Sequence, residues 1–316
     1  MGLAAITGAT GFLGRRTAEI LLARGWRVRA LVRPESLARA PAGAEIVVGD
    51  LADPAALDAL ARDAAVVIHC AGLIKARRDS DFFAINEGGT DRVAAAAAGR
   101  VVLVSSLAAR EPGLSAYAAS KRAGEGAARA AAGARLTIVR PPAIYGPGDL
   151  ETLALFRFAA WSPFLPLPGP DEARLALAHV DDVAAAVADF ALGGAGVGPF
   201  AIPGAKPEGY GWREVMMTAA STVGRRPHLI RIPAWAVMSA ARGSSLASAA
   251  AGRPAIFTPG KAREILHGAW SVTADEMAPG AAPARFDLKS GFTDAVAWYR
   301  GRGLLPRAWP RGEPRG

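Results

Sequence analysis

A glycine-rich turn near the start of the chain constrains the fold more than any other feature. The sequence TGATGFLG follows a short apolar stretch and leads into a helical pattern. In such a unit Gly8 permits the tight turn, Gly11 lets the backbone approach a pyrophosphate, and Gly14 lets helix and strand pack closely. The amides of Phe12 and Leu13, at the helix N-terminus, would point at the phosphates. The turn therefore predicts a dinucleotide site, and an ordinary glycine-rich turn is the alternative.

Apolar strands and helices alternate through the first half of the chain. The predicted strands are Leu3–Ile6, Arg27–Val32, Glu45–Val48, Ala65–Cys70, Val101–Val104 and Leu136–Val139. The predicted helices are Phe12–Ala23, Pro54–Ala61, Phe82–Ala97 and Ala116–Ala131. This alternation indicates a parallel sheet with right-handed crossovers. We predict an α/β fold, a doubly wound parallel sheet of the Rossmann type, with a smaller, mainly helical C-terminal substrate lobe.

The composition of the sequence changes after Arg140, where prolines become frequent. We expect residues 1–150 to form the dinucleotide-binding domain, completed by about 175–203, and residues 151–174 and 204–305 to form the substrate lobe. Regular elements are predicted at Leu175–Ala178, Val180–Ala191, Phe200–Ile202, Trp212–Val223, Ala234–Ala241, Pro259–Leu266 and Thr293–Gly301. Residues 306–316, rich in Pro, Arg and Gly, are predicted to be a flexible tail.

Length and cysteine content narrow the class of protein. A chain of 316 residues can bury one large core, or one core with an attached lobe. Its single cysteine, Cys70, excludes an internal disulfide and fits a reducing cytoplasm. Because Cys70 closes an apolar run, we interpret it as a buried strand residue rather than a nucleophile. We expect no signal peptide, no membrane span, no metal site and a cytoplasmic location.

The chain is basic, with a formal net charge of +9. A solvated, arginine-rich surface explains this charge, and attraction to an anionic cofactor, substrate or lipid surface is the sharper alternative. No pattern of interleaved aromatic and basic residues suggests nucleic-acid binding. The apolar stretch Ile232–Ala251 is interrupted by Arg242 and comes nearest to a membrane span. It suggests peripheral contact with the inner face of a membrane.

The residues that end the second and third strands bear on the choice of nucleotide. Dinucleotide folds usually place a carboxylate about 20 residues after the glycines, where it binds the ribose 2′-hydroxyl. Here Val32 and Arg33 stand at that point, and Arg33 can pair with a 2′-phosphate. We therefore predict NADP (NADPH) in preference to NAD, unless Arg33 simply faces solvent. Asp50 is placed either to accept from the adenine amine or to cap the following helix.

A tyrosine and a lysine separated by one helical turn suggest proton transfer. Tyr117 and Lys121 would lie on one helix face, where the ammonium favours the phenolate. Tyr117 could then exchange a proton with a substrate oxygen as hydride moves to or from the cofactor. Ser105 and Ser106 end the preceding strand, and one hydroxyl there could bond the reacting oxygen. We prefer Ser106, with Ser105 as the alternative.

Together these motifs resemble those of the extended short-chain dehydrogenase/reductases, the NAD(P)-dependent epimerase/dehydratase family. Further matching pieces are Gly49–Leu51, His69–Leu73, Asn86–Thr90, Val104–Ser106, Arg140–Pro147 and His179–Asp182. The resemblance covers nearly the whole chain and implies a catalytic triad of Ser106, Tyr117 and Lys121. It also implies that Lys121 bonds the nicotinamide ribose. With the residues argued above, the predicted cofactor contacts are Gly8, Thr10, Gly11, Phe12, Leu13, Gly14, Arg33, Asp50, Leu51, Ala71, Gly72, Tyr117, Lys121, Pro141 and Pro142.

Departures from the family pattern narrow the reaction. Sugar-nucleotide dehydratases of the family carry Asp-Glu after the catalytic hydroxyl residue, whereas this chain has Leu107 and Ala108, which disfavours dehydration. The C-terminal segments 257–263 and 298–305 are similar to the hydroxysteroid dehydrogenase and dihydroflavonol reductase branch. That resemblance implies reduction of a ketone, or oxidation of a secondary alcohol, on a bulky apolar substrate. Substrate-pocket candidates, for each of which core packing is the alternative, are Phe156, Phe158, Trp161, Phe164, Leu165, Trp235 and Met238.

Two other functions remain open at this point. The chain could be a nucleotide-sugar epimerase with tightly bound NAD, or a non-catalytic cofactor-binding subunit. The intact pair of Tyr117 and Lys121 argues against the second. The family resemblance suggests a homodimer formed through the helices before Ala97 and after Ser115.

Overall fold

The computed structural model describes residues 2–193 and 196–306. Its strands are β1 (Leu3–Thr7), β2 (Arg27–Val32), β3 (Glu45–Val48), β4 (Val66–His69), β5 (Arg100–Val104), β6 (Leu136–Arg140), β7 (Ala143–Tyr145), β8 (Phe164–Pro168), β9 (Arg174–Leu175), β10 (Leu177–His179), β11 (Phe200–Ala201), β12 (His228–Ile232) and β13 (Ala269–Trp270). Its α-helices are α1 (Phe12–Ala23), α2 (Pro54–Ala61), α3 (Asp79–Asn86), α4 (Gly88–Ala96), α5 (Ala116–Ala132), α6 (Leu153–Trp161), α7 (Val180–Gly193), α8 (Trp212–Thr222), α9 (Ala234–Ala250), α10 (Pro259–Leu266) and α11 (Leu288–Gly301).

The centre of the molecule is a parallel sheet of seven strands in the order β11-β6-β5-β4-β1-β2-β3. The strand order reverses beside β1, which pairs with β2 on one side and with β4 on the other. In open α/β sheets ligands bind at such a reversal, outside the carboxyl ends of the strands. The predicted doubly wound fold is therefore confirmed, and its topology places the glycine-rich turn at this point.

The central strands are apolar because helices cover both faces of the sheet. All residues of β1, β4 and β6 are buried. On one face α1 and α7 pack with Ile6 and Ile68 in a single core cluster. On the other face α2, α4 and α5 pack over Val67 and Leu103. Continuous burial of this kind is what a parallel sheet covered on both faces requires.

A separate apolar cluster holds the C-terminal elements together. Helices α6, α8 and α11 enclose Phe156, Phe292 and Tyr299, and Tyr145 of β7 joins them. Helices α9 and α10 share a smaller cluster of Val237, Ala241 and Ala262. The predicted division at residues 151–174 and 204–305 stays a prediction. The predicted tail, apart from Pro306, lies outside the described residues.

The predicted helix Phe82–Ala97 is divided into α3 and α4 at Glu87. The carbonyl of Asn86, the last residue of α3, accepts the Thr90 hydroxyl at 2.7 Å and lies against Gly124 of α5. Two glycines, Gly88 and Gly89, follow the break, and glycine has low helix propensity. This close packing of α5 on a main-chain carbonyl is a tertiary contact that the helical pattern alone could not indicate.

Other boundaries also differ from the predictions. Helix α9 continues to Ala250, so the exposed Arg242 and Gly243 lie within the helix and do not end it. The predicted element at 175–178 is divided between β9 and β10. The parallel pair of β8 and β12 was not predicted, since prolines punctuate β8. None of the helices in residues 2–193 and 196–306 has the length and apolar composition needed to cross a bilayer.

Replacing Gly124 by Ala should destabilise the fold, because a Cβ there would lie 2.2 Å from the carbonyl oxygen of Asn86. We expect a loss of about 1–3 kcal/mol in the free energy of unfolding, measured by urea denaturation. Gly126→Ala is the matched control on the same helix, since a Cβ there meets nothing within 4 Å. The control should gain about 0.5–1 kcal/mol from helix propensity. Equal effects of the two substitutions would contradict the close packing.

Candidate active site

The glycine-rich turn forms a tight backbone cradle between β1 and α1. Gly8 has φ +74°, and its carbonyl accepts the Gly11 amide at 2.9 Å. A Cβ on Gly14 would lie 2.3 Å from the Gly8 oxygen, and a Cβ on Gly8 would lie 2.6 Å from the Ala71 nitrogen. Any larger residue at Gly8 or Gly14 would therefore clash with the main chain, and Gly8 also has a backbone conformation that favours glycine.

The N-terminus of α1 fits a pyrophosphate. No side chain caps the helix, and its first turn carries no acidic residue. The first amides of a helix have no partner within the helix, so those of Phe12 and Leu13 are available to an anion. A dinucleotide thus fits the cradle, because the glycines leave room for its phosphates and the uncapped end of α1 offers free amides to them.

A buried imidazole ties together the strands that flank the cradle. His69 Nδ1 lies 2.7 Å from the Thr7 hydroxyl, and His69 Nε2 lies 3.1 Å from the Thr90 hydroxyl. The Thr7 oxygen also accepts the Ala71 amide at 3.3 Å. Burial lowers the pKa of His69 to about 3, and the nearby Lys121 contributes to this lowering, so the ring is neutral. Sequence reasoning noted His69 only as part of a motif, because its partners are distant in the chain.

Arg33 and Asp50 occupy exposed ends of neighbouring strands. The Arg33 Nε lies 3.2 Å from Glu35, and both side chains are 63% exposed. Asp50 accepts the Ala52 amide at 2.7 Å, which closes a local turn. The proposed capping role of Asp50 is wrong, because the cap of α2 is Asp53, whose carboxylate accepts the Ala56 amide at 3.1 Å.

The two candidate serines have different partners. The Ser105 hydroxyl is buried and donates to Glu125 at 2.6 Å. Ser106 is partly exposed, accepts the Ala108 amide at 3.2 Å and lies near enough to Tyr117 to lower the pKa of the phenol. Ser105 is therefore engaged in the interior, whereas Ser106 faces the tyrosine. The geometry favours Ser106, as the sequence analysis preferred.

Tyr117 stands in the first turn of α5, whose N-terminus is capped by Ser115. Its ring meets Phe82 edge-on, with centroids 6.1 Å apart. Burial raises the pKa of Tyr117, the hydrogen bond with Ser106 lowers it, and the carboxylate of Glu264 raises it. The net direction is upward, so the phenol is protonated at neutral pH.

Lys121 is buried one turn after Tyr117 and donates from Nζ to the Val104 carbonyl at 2.8 Å. Burial lowers the pKa of Lys121 to about 8, although Glu125 and Cys70 raise it. Burial dominates at the phenol, so the expectation that the Lys121 ammonium favours the phenolate stays a prediction. A Cβ on Gly72 would lie 3.2 Å from Asn86 Oδ1 and 3.7 Å from Nζ, so this glycine lies beside both groups.

A buried ion pair lies directly below these residues, and the sequence did not reveal it. Glu125 of α5 is fully buried and accepts two hydrogen bonds of 2.7 Å from Arg140 at the end of β6. Arg122 and Arg129 lie farther off, at 3.9 Å and 3.8 Å, and are partly exposed. The paired geometry and the Ser105 hydroxyl together compensate the buried charge.

The catalytic candidates and part of the predicted cofactor contacts meet in a cleft of about 1340 Å³, whereas Arg33, Asp50, Leu51 and the glycines of the cradle do not line it. Ser106, Tyr117 and Lys121 line it, as do Phe12, Cys70, Gly72, Pro141 and Pro142. Cys70 is not the buried strand residue predicted, because it directly follows β4 and is only partly buried. Its low-dielectric surroundings still raise the pKa of the thiol to about 12, which fits an unreactive cysteine. Within the described residues, His, Cys, Asp and Glu form no group of three or more that could hold a metal ion.

The residues predicted to line the substrate pocket do not line the cleft. Phe156 and Leu165 are fully buried in the small-lobe core, while Phe158, Trp161 and Phe164 are exposed outside the cleft. Apolar residues that do line the cleft include Ile74, Trp212, Val215, Leu246, Ile256 and Trp270. They come from segments far apart in the chain, so no local pattern could assemble them.

A buried carboxylate also lines the cleft. Glu264 of α10 accepts a hydrogen bond from the Ser115 hydroxyl and another from Lys261 at 3.0 Å. A Cβ on Gly260 would lie 2.8 Å from the Ser115 Cβ, so α10 packs closely against the start of α5. Glu264 thereby joins α10 to α5, the helix that carries Tyr117.

The chain belongs to the NAD dependent epimerase/dehydratase family, whose sequence profile matches residues 4–192. It is 48% identical over 311 residues to a ceramide reductase of Caulobacter vibrioides (strain NA1000 / CB15N), covering 97% of each protein. A shorter match, 40% identical over 95 residues, covers 29% of this chain and 28% of a farnesyl-dihydroquinoline-oxide ketoreductase of Stigmatella aurantiaca. The family predicted from the motifs is confirmed, and its members indicate an enzyme that uses a nicotinamide nucleotide.

Solved structures share the fold over nearly the whole chain. The crystal structure of gox2253 superposes with a TM-score of 0.76 at 25% identity, covering 96% of this chain and all of the other. UDP-glucose 4-epimerase of Thermus thermophilus, in complex with NAD, gives a TM-score of 0.68 at 22% identity, covering 95% and 99%. At this identity the second likeness shows the fold alone.

Replacing Glu125 by Gln should strongly destabilise the protein, because it leaves the buried Arg140 charge uncompensated. We expect a loss of about 3–5 kcal/mol in the free energy of unfolding, measured by urea denaturation. Arg122→Ala is the control, since it removes a partly exposed cation 3.9 Å from the same carboxylate. The control should change the free energy by less than about 1 kcal/mol. Similar losses for both would refute the central role of the Arg140 pair.

Proposed function

We propose that the chain is an NADPH-dependent reductase that converts the ketone of a ceramide-type lipid into a secondary alcohol. One observation carries the proposal: a ceramide reductase shares 48% of its residues with this chain over 97% of both lengths. The apolar cleft and the polar group at its base support the same reaction. Acting on a carbonyl carbon also fits the absence of carboxylates at Leu107 and Ala108, where dehydration would need them.

The residues at the base of the cleft have complementary roles in this reaction. A bound NADPH supplies the hydride. Tyr117 donates its phenolic proton to the substrate oxygen, and Ser106, which lies near the same phenol, donates a hydrogen bond to that oxygen as well. Lys121 has donors to spare beyond its bond to Val104, and it would hold the nicotinamide ribose.

The protonation state of Tyr117 supports the reductive direction. Reduction needs a phenol that carries a proton, and burial together with Glu264 raises the pKa of Tyr117. Oxidation would instead need the phenolate, which this surrounding disfavours. A phenol that carries its proton at neutral pH is the form from which ketone reduction starts.

The cleft suits a large apolar substrate. Its volume of about 1340 Å³ includes the part lined by Phe12, Gly72 and Lys121, where the cofactor would lie, and the rest is left to the substrate. Trp212, Val215 and Trp270 form part of its apolar wall. Glu264 adds a buried acceptor for a hydroxyl or amide donor of the substrate. A ceramide-type lipid offers both kinds of group near its reacting carbon.

The direct test supplies the purified protein with NADPH and a ceramide-type lipid bearing a ketone. We expect NADPH to be consumed and the alcohol to appear by mass spectrometry. Copurified NAD with interconversion of nucleotide sugars, and no NADPH consumption, would favour an epimerase instead. Tyr117→Phe with unchanged cellular function would favour a non-catalytic subunit.

Neighbouring serines provide a matched test of the catalytic group. Ser106→Ala should lower kcat by about 10²–10³-fold, because it removes a donor to the reacting oxygen. Ser105→Ala should keep kcat within about threefold and lower the unfolding free energy instead, since its hydroxyl bonds Glu125. Kinetics and urea denaturation of both variants separate the effects. A loss of kcat in Ser105→Ala alone would reverse the assignment.

Preference for NADPH is expected to depend on Arg33. Arg33→Ala should raise the KM for NADPH by about tenfold and leave the KM for NADH within about twofold, because only NADPH carries the 2′-phosphate. Arg27→Ala, at the opposite end of β2, is the control and should change neither value. Unchanged NADPH kinetics in Arg33→Ala would show that this residue does not set the preference.

A further inference from the structure

Four large apolar side chains are exposed around the mouth of the cleft. Ile74, Leu150, Leu246 and Ile256 are 62%, 62%, 72% and 68% exposed, and all of them line it. They come from the segments before α3, before α6, in α9 and after α9, so both parts of the molecule contribute. Single exposed apolar residues are ordinary, whereas a group around one opening marks a binding surface. We call these four residues the apolar rim.

Helix α9 adds to this exposed surface. Only Val237 and Ala241 are buried along its 17 residues, where they pack on Ala262 of α10. Leu246 of the apolar rim belongs to this helix, and Trp235 at its start is 73% exposed. Helix α9 therefore extends the exposed apolar surface beside the rim.

Cations surround the apolar rim. Arg77, Arg78 and Arg253 line the same cleft and are not buried, and none of them forms an ion pair within the described part of the chain. Two lysines of the cleft differ, since Lys75 pairs with Glu151 and Lys261 with Glu264. The unpaired arginines give the opening a charge complementary to anionic headgroups.

We propose that the apolar rim docks on a bilayer that contains anionic lipids, with the opening of the cleft facing the membrane. The rim would lie at the boundary between headgroups and acyl chains, while the arginines bind phosphates. Docking itself does not depend on the enzyme's reaction. Its use, to pass a lipid ketone into the cleft without crossing water, rests on the proposed function.

Co-sedimentation with vesicles tests the docking without any substrate. The wild-type protein should bind vesicles of phosphatidylcholine and phosphatidylglycerol more tightly than vesicles of phosphatidylcholine alone. Leu246→Ser combined with Ile256→Ser should lower the partition coefficient on both vesicles by about tenfold or more. Arg77→Gln combined with Arg78→Gln should lower it on anionic vesicles alone, by about fivefold per charge.

The matched control is Ile230→Ser on β12, an apolar residue 44% exposed that does not line the cleft. It should bind vesicles like the wild type. NADPH affinity, measured by fluorescence, should be unchanged in the rim variants and so show that they are folded.

Three results would overturn the docking surface. They are wild-type protein that does not sediment with anionic vesicles, rim variants that bind as the wild type does, and light scattering that shows the rim variants losing a dimer present in the wild type. The last would assign the rim to a second copy of the chain. Failure to reduce a ketone lipid would refute the proposed function and leave the vesicle result intact.

Discussion

The buried carboxylate of Glu125 is the interaction on which the geometry of the site depends. It accepts hydrogen bonds from Ser105, which follows β5, and from Arg140, which ends β6. Both strands end at the same edge of the sheet, so one side chain sets the position of α5 over that edge. Lys121 lies one turn and Tyr117 two turns earlier on the same helix, and Glu125 also raises the pKa of the buried Lys121.

Sequence patterns predicted the parts of the site that depend on local spacing. Gly8, Gly11 and Gly14 are close together in the chain, and the interval between Tyr117 and Lys121 is one helical turn. The buried pair of Glu125 and Arg140 was missed because it depends on how α5 lies over β6. Tertiary structure also brings burial and Glu264 to Tyr117, where both raise its pKa, and the spacing of Tyr117 and Lys121 could indicate neither. Glu264 lies on α10, far away in the chain.

The two sides of the cleft are built in different ways. On the nucleotide side the backbone itself forms the surface, so glycines are required where a Cβ would meet main-chain atoms. On the substrate side the surface consists of side chains from the C-terminal elements, joined to α5 through Ser115 and Glu264. A family can therefore keep one side and vary the other, which is why its fold is evident at low identity while the substrate is not.

The neutral imidazole between Thr7 and Thr90 couples folding to proton uptake. The folded chain holds the pKa of His69 near 3, whereas an unfolded histidine titrates near pH ~6.5. Between these values acid protonates the unfolded chain preferentially, so stability is fully present above about pH 6.5 and declines as the medium becomes more acidic. Lys121, with its pKa lowered to about 8, acts in the same sense at higher pH. The tightly packed edge of the sheet thus makes acidification a denaturing influence.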